Sequence, residues 1–175
     1  MTKKSNEPKI LLDCDVIIHF IKAGKQLLLP KIYPGRFVIL DKIYDELMIR
    51  PSNRIPVGNF IKYTKIEVIP MPKNIEIIKE YALLKKTKGV GEAACMAVAR
   101  HTNEYIASSN LKDIRVYCEQ HSIVYLTTMD ILLEAYKLGM MSEVECDAFI
   151  KEVKSKDSIL IHNIDSITAY EKLKK

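Results

Sequence analysis

Five short runs rich in Ile, Val, Leu and Tyr recur along the chain: Lys9–Asp13 (KILLD), Arg36–Asp41 (RFVILD), Lys65–Ile69 (KIEVI), Glu104–Ser108 (EYIAS) and Ser122–Leu126 (SIVYL). Their length and near-continuous apolar character are those of strands buried on both faces. Between them the apolar positions follow a helical period over Val16–Ala23, Lys42–Ile49, Ile75–Lys86, Gly91–His101, Leu111–Gln120 and Met129–Leu138. Strands alternating with helices predict an α/β fold, a mainly parallel central sheet covered by helices on both faces.

Local chemistry marks several boundaries. Asp41 is placed to cap the helix beginning at Lys42, Thr128 the one near Met129, and Ser142 the one beginning at Glu143, where Glu145 completes a capping box. Gly139 follows Leu138 as a stop signal. The stretch Arg50–Gly58 reads as a loop, because Pro51 and Pro56 bar regular structure, and a loop there would form a flexible edge to a cleft. Beyond Gly139 the pattern predicts an amphipathic helix to about Lys154, a short apolar run at Ser158–Ile161 and a last helix over Asp165–Lys175. With no internal repeat and no long linker, residues 140–175 read as a helical appendage packed on the core of a domain spanning 1–139.

At 175 residues the chain is long enough to bury a sizeable core, and 48% hydrophobic with 28% charged residues excludes a disordered protein. A formal charge of +5 permits contact with phosphates without demanding it. Cys14, Cys95, Cys118 and Cys146 form no C-x-x-C pair and have no His partner at zinc spacing. They read as buried apolar side chains in a reducing compartment. Asp13 and Asp15 interrupt the first apolar run, which excludes a signal peptide there, and no run approaches a membrane span. A cytoplasmic protein without a membrane partner is expected.

In an open parallel sheet, functional groups gather where strands end at the carboxyl edge. Asp13 closes the first strand and Asp15 follows it. Asp41 closes the second, with Asp45 and Glu46 a turn further on. The fourth ends in Ser108, Ser109 and Asn110, and Glu92 opens the helix preceding it. Carboxylates sharing a crevice raise one another's pKa unless a cation neutralises them, so such a set points to a hard divalent ion, Mg²⁺ or Mn²⁺. Read singly, an Asp after a strand is more often a helix cap; the joint placement carries the argument. Lys85, Lys86 and Lys88 lie shortly before Glu92, where they either meet backbone phosphates or form a solvated helix end.

The segments LLDCDVIIHFI with Asp13, FVILDKIYDEL with Glu46, GVGEAACMAVA with Glu92 and YIASSNLKDIRVYCEQHSIVYLTT, in that order between about Lys9 and Asp130, resemble the PIN domain. The resemblance implies a three-layer α/β/α sandwich and a metal-dependent ribonuclease, of the kind found as the toxin of toxin–antitoxin pairs. It implies catalytic roles for Asp13, Glu46 and Glu92, and a Mg²⁺ or Mn²⁺ site built on Asp13, Glu92, Asp15 and the position of Asn110. Ser108, Lys85 and Lys88 would then face RNA, and an antitoxin or a second copy of the chain would be partners. Two positions depart from the family pattern. Asn110 stands where an Asp is usual, which keeps a carbonyl donor but removes a charge, and Asp15 stands where Asn is commoner, which adds one back. Asp113 lies in the first turn of the helix that Asn110 would cap, where its side chain is expected to bond the backbone.

Two other readings remain open. LLDCDVI and IASSN also resemble the first two motifs of haloacid-dehalogenase-like phosphatases, but after Asn110 there are only isolated acids where that class needs a Lys and an acidic pair. A PIN-like fold with an impaired site that binds RNA or a protein partner is the other, and Asn110 supports it. The histidines lack partners at i+3 or i+4, and His19, within an apolar helix, reads as a satisfied core residue.

Overall fold

The computed structural model of the protein describes residues 7–156, 160 and 164–175. All five predicted strands form, each shorter than its apolar run: β1 (Ile10–Leu12), β2 (Phe37–Leu40), β3 (Glu67–Ile69), β4 (Tyr105–Ala107) and β5 (Tyr125–Leu126). They make one sheet in the order β3-β2-β1-β4-β5, parallel throughout. Every residue of β1 and β2 is buried, as expected for strands covered on both faces, whereas edge strand β3 is largely exposed.

The helices are α1 (Cys14–Lys22), α2 (Leu29–Ile32), α3 (Asp41–Ile49), α4 (Pro51–Thr64), α5 (Ile75–Leu84), α6 (Val90–Thr102), α7 (Leu111–Gln120), α8 (Thr128–Lys137), α9 (Glu143–Ser155) and α10 (Ile167–Lys174). The chain moves one way across the sheet from β1 through β2 to β3, then reverses to β4 and β5. Right-handed crossovers therefore place the two sets of connecting helices on opposite faces, giving the three-layer α/β/α sandwich. The order reverses between β1 and β4, and a crevice opens at their carboxyl ends. Asp13 and the segment Ser108–Asn110 emerge there side by side, the Asp13 amide bonding the Ala107 carbonyl at 2.9 Å.

The segment read as a loop over Arg50–Gly58 is instead the first half of α4. Pro51 sits at the first helical position, where its missing N–H would have had no partner anyway. Pro56 does interrupt the helix interior, leaving the Ser52 carbonyl without its usual donor. Burial of Val57 and Phe60, both 0% exposed, offsets that loss. The apolar spacing beyond the two prolines decides this segment, and the prolines do not.

Capping follows expectation at Ser142, whose box with Glu145 forms in both directions, and Gly139 adopts the left-handed conformation (φ 68°) beyond α8. At α8 the cap is Thr127, not Thr128. Thr127 is extended and forms a capping box with Asp130, while Thr128 is already helical. Asp41 is likewise the first residue of α3; its carboxylate accepts from Lys42 N and from Met71 N, tying the end of β2 to the chain after β3. The apolar run at Ser158–Ile161 falls outside the described residues except for Leu160, which is buried. Helices α9 and α10 contribute Phe149, Ile150, Val153, Ile167 and Tyr170 to the same apolar core as β1 and β2. All four cysteines are free; Cys95, Cys118 and Cys146 are buried and Cys14 is half-buried.

Candidate functional site: an acidic mouth at the sheet reversal

Asp13 leaves β1 in extended conformation and caps α1, its Oδ1 accepting from Cys14 N at 2.8 Å. It is 8% exposed. Burial raises its pKa, and repulsion from Glu46 adds to the shift. The Cys14 amide and the Ser108 hydroxyl oppose it. Two residues on, Asp15 accepts from Val16 N at 2.6 Å through Oδ1 and from Ser109 N at 2.8 Å through Oδ2, clamping the start of α1 to the end of β4. Burial, then the neighbouring charge of Asp13, push Asp15 up to about 7 despite these bonds.

Glu46 comes from α3 and reaches across to the start of α6, where its Oε2 accepts from Gly91 N at 2.8 Å. Gly91 leaves room for this approach: a Cβ there would lie 2.4 Å from Ile43 Cδ1 and 2.8 Å from the Glu46 oxygen, so both side-chain ends would have to shift. Glu92 follows, 8% exposed. Burial, then Asp13 and Asp113, push its carboxyl up to about 7, and Lys88 opposes them. Asp13, Asp15, Glu46 and Glu92, distant in sequence, thus meet at one mouth and feel one another's charge.

Asn110 occupies the first position of the turn into α7, but its side chain does not cap that helix. The amide donates to Glu92 Oε1 at 3.3 Å and to Asp113 Oδ2 at 2.7 Å. Asp113 correspondingly does not bond the backbone of its own first turn as expected. It bridges Asn110 and Lys88, whose ammonium lies 2.8 Å from Oδ1, and these two partners hold its pKa below the usual range. The geometric reason is that α6 and α7 lie side by side, so Lys88 before α6 meets the first turn of α7. Lys88 therefore belongs to the site. Lys85 does not join it: it is exposed, with its ammonium over the Tyr81 ring at 5.3 Å. Ser108 is fully buried; its hydroxyl accepts from Asn110 N and steadies Asp13 instead of facing the cleft.

The mouth opens into a cleft of about 600 Å³ lined by Cys14, Asp15, Ile18, His19 and Lys22 from α1, Glu46 and Leu47 from α3, Arg50 and Asn53 at the start of α4, and Ser109 and Asn110 after β4. Arg50 and Asn53 lie in the segment whose prolines point to a loop; Pro51 at the first helical position is the sequence signal for the helix that brings them to the cleft. His19 is 3% exposed and bonds Thr128 Oγ1 through Nδ1 at 2.8 Å, a satisfied histidine as expected, yet it lines the cleft.

The donors at the mouth are carboxylate and amide oxygens with several charges and one nearby ammonium, a set whose chemistry suits a hard divalent cation. In the present arrangement each carboxylate is held by a hydrogen bond, and among the described residues no group of three or more His, Cys, Asp or Glu side chains closes around a single point. No helix among the described residues is long and apolar enough to cross a membrane.

No protein-family model matches the sequence, and no curated protein matches it. Among solved structures the fold is similar to a chain in the crystal structure of VapBC2 from Rickettsia felis bound to a DNA fragment from their promoter. The TM-score is 0.51 at 13% identity, covering 67% of this chain and 97% of that one. At that identity the likeness is one of fold, and it supports the PIN-like α/β/α architecture.

Proposed function

We propose that this chain is a Mg²⁺- or Mn²⁺-dependent ribonuclease of the PIN type, hydrolysing RNA phosphodiester bonds at the acidic mouth. The observation that carries the reading is the meeting of Asp13, Asp15, Glu46 and Glu92 at the sheet reversal, where burial and mutual repulsion raise the pKa of Asp13, Asp15 and Glu92. A fold that keeps repelling carboxylates half-compensated at a cleft holds them for a cationic partner. Asp13, Asp15, Glu92 and the Asn110 carbonyl would hold the ion, which when bound supplies Lewis-acid polarisation of the scissile phosphate and an ionised water.

The chain's own residues do the rest. Asp13 is fixed by Cys14 N and Ser108, so its carboxylate keeps one orientation. Glu92, buried and facing Asp13 with Lys88 as its opposing charge, is the carboxylate whose unmet charge a bound cation would compensate. Glu46 is oriented by Gly91 N, and Lys88 with Asp113 limits the negative charge that an incoming phosphate meets. The fold likeness to a chain of VapBC2 supports, as a further part of the proposal, a toxin role with an antitoxin partner.

A cleavage assay on single-stranded RNA with and without Mn²⁺ tests the reading. Native protein should cleave only with the ion, and Asp13→Ala should lose that cleavage by about 10²-fold or more. Metal-independent cleavage, or full activity in Asp13→Ala, would contradict it. A second reading, a catalytically impaired PIN-like protein that binds RNA or a partner, is favoured by the neutral Asn110 amide lodged between Glu92 and Asp113. Cleavage that appears only in Asn110→Asp would select it.

A further inference from the structure

Past the carboxylates the cleft changes character. Besides the carboxylates it is lined by Ile18, His19 and Lys22 of α1, by Leu47 of α3, and by Arg50 and Asn53. His19 is joined to the acidic mouth by a chain of short hydrogen bonds. Ser109 N donates to Asp15 at 2.8 Å, Ser109 Oγ donates to Thr128 Oγ1 at 2.8 Å, and Thr128 Oγ1 lies 2.8 Å from His19 Nδ1. Ser109 Oγ in turn accepts from Thr128 N at 3.0 Å.

Counting protons along this chain fixes the histidine tautomer. Ser109 has one hydroxyl proton and gives it to Thr128. Thr128 is 0% exposed, so its own proton must find an acceptor inside the protein, and His19 Nδ1 is the acceptor at hand. Nδ1 is then unprotonated and the proton of the neutral ring sits on Nε2. Burial first, and Lys22 second, hold the His19 pKa down to about 4, so the ring is uncharged at neutral pH. Nε2 has no hydrogen-bond partner, yet it is not sealed off. Gln26 Oε1 is the one side-chain nitrogen or oxygen among the described residues that is fully buried without a partner. Nε2 therefore opens on the cleft that His19 lines.

We propose that His19 is a specificity residue: it offers a fixed, neutral Nε2–H to an acceptor atom of an RNA nucleobase. Ile18 and Leu47 cover the base, and Arg50 meets the adjoining phosphate. The proposal rests on the ribonuclease reading and deepens it by assigning a base subsite beside the acidic mouth. A base fits this place better than a phosphate does. A neutral Nε2–H beside Ile18 and Leu47 compensates no charge, whereas a base presents neutral acceptors and apolar faces; the cations lining this cleft, Lys22 and Arg50, suit the adjoining phosphates. Arg50 is exposed and makes no side-chain hydrogen bond or ion pair among the described residues, so it is free to serve the phosphate. A volume of about 600 Å³ is of nucleotide size.

Two measurements test this. Long-range ¹⁵N NMR of the native protein should show His19 as the Nε2–H tautomer at pH 7, mixed tautomers in Thr128→Val and the native pattern again in Thr128→Ser. A protonated Nδ1 or a mixture in the native protein would overturn the inference without reference to activity. Fluorescence anisotropy in EDTA should show single-stranded RNA bound about tenfold tighter than an abasic strand of equal length. His19→Phe should erase that gap, His19→Gln, which keeps a donor near Nε2, should retain most of it, and Arg50→Gln should weaken both strands alike. A gap that survives His19→Phe would overturn the base subsite and leave the ribonuclease reading standing. Failure of native protein to bind either strand would overturn both.

Discussion

Asp130 and Glu92 are both acids in the first turn of a helix at the carboxyl edge of the sheet, and their environments have opposite effects. Asp130 accepts from Thr127 N at 2.8 Å, from the Thr127 hydroxyl, from Tyr170 OH at 2.7 Å and from Lys174 at 2.7 Å, which ties α10 to α8. Burial raises its pKa, but these donors together outweigh burial and the net shift is downward. Glu92 has one long bond from Asn110 and faces Asp13, Asp113 and Glu46, with Lys88 the one opposing charge, and its shift is upward. The same chemical group is a fastener where donors surround it and an unmet charge where acids do. The fold meets this need at Asp130 and leaves it open at Glu92, which on the proposed reading is where a cation would bind.

Removing each acid breaks the comparison most directly. Asp130→Ala should lower unfolding stability by about 2 kcal/mol, since it removes the side-chain half of the capping box with Thr127 and a buried acceptor for Tyr170. Glu92→Gln should raise stability by about 1 kcal/mol at pH 8 without divalent cations, because a poorly compensated charge disappears. Urea denaturation midpoints give both values; a loss of stability in Glu92→Gln would mean that the carboxylate is a structural brace.

Acidity sharpens the contrast. Asp15 and Glu92 titrate near 7 when folded and at the ordinary carboxylate values near 4 when unfolded, so between these limits the native state binds more protons. Metal-free stability should therefore fall as pH rises from about 4 to about 7 on their account. Asp130 contributes in the opposite sense: its share is complete above the ordinary carboxylate range and is lost as pH falls through its lowered folded value. Midpoints measured from pH 3 to pH 8 should show the neutral limb flattened in Glu92→Gln and the acid limb reduced in Asp130→Ala.

Asn110→Asp should act in a smaller, conditional way. It places a third carboxylate against Glu92 and Asp113, costing about 1 kcal/mol in EDTA, and Mn²⁺ should recover that loss. Equal stability with and without the ion would remove Asn110 from the proposed set. The smallest effect is expected in α4: Gly58→Ala, whose new Cβ meets nothing within 4 Å, should stabilise by about 0.5–1 kcal/mol if residues 51–64 are helical in solution. A circular-dichroism melt reads it.

The five strands and their parallel sheet are legible because the runs are short and apolar; Asp13, Asp41 and Ser108 mark three of their ends, while the strand order is not legible, since pairing is set by tertiary packing. Nor is the helix over Pro51–Thr64, since proline propensity is local whereas the burial of Val57 and Phe60 depends on tertiary packing. Asp13, Glu46 and Glu92 could be named from spacing. Which donors they meet could not. The link from Lys88 through Asp113 to Asn110 needs α6 and α7 side by side, and the link from Asp15 through Ser109 and Thr128 to His19 spans 113 residues of sequence between Asp15 and Thr128. His19 is core by its apolar helix, and only the position of the cleft shows its second face.

The central claim is that the carboxylates at the reversal of the sheet are held apart from full compensation until a divalent cation joins them. Thermal unfolding at pH 7.5 in EDTA and in millimolar Mn²⁺ tests it most directly, comparing native protein with Asp13→Asn. A Tm raised by Mn²⁺ in the native protein and unmoved in Asp13→Asn is the predicted result. A native Tm indifferent to Mn²⁺, or raised equally in both, would contradict it.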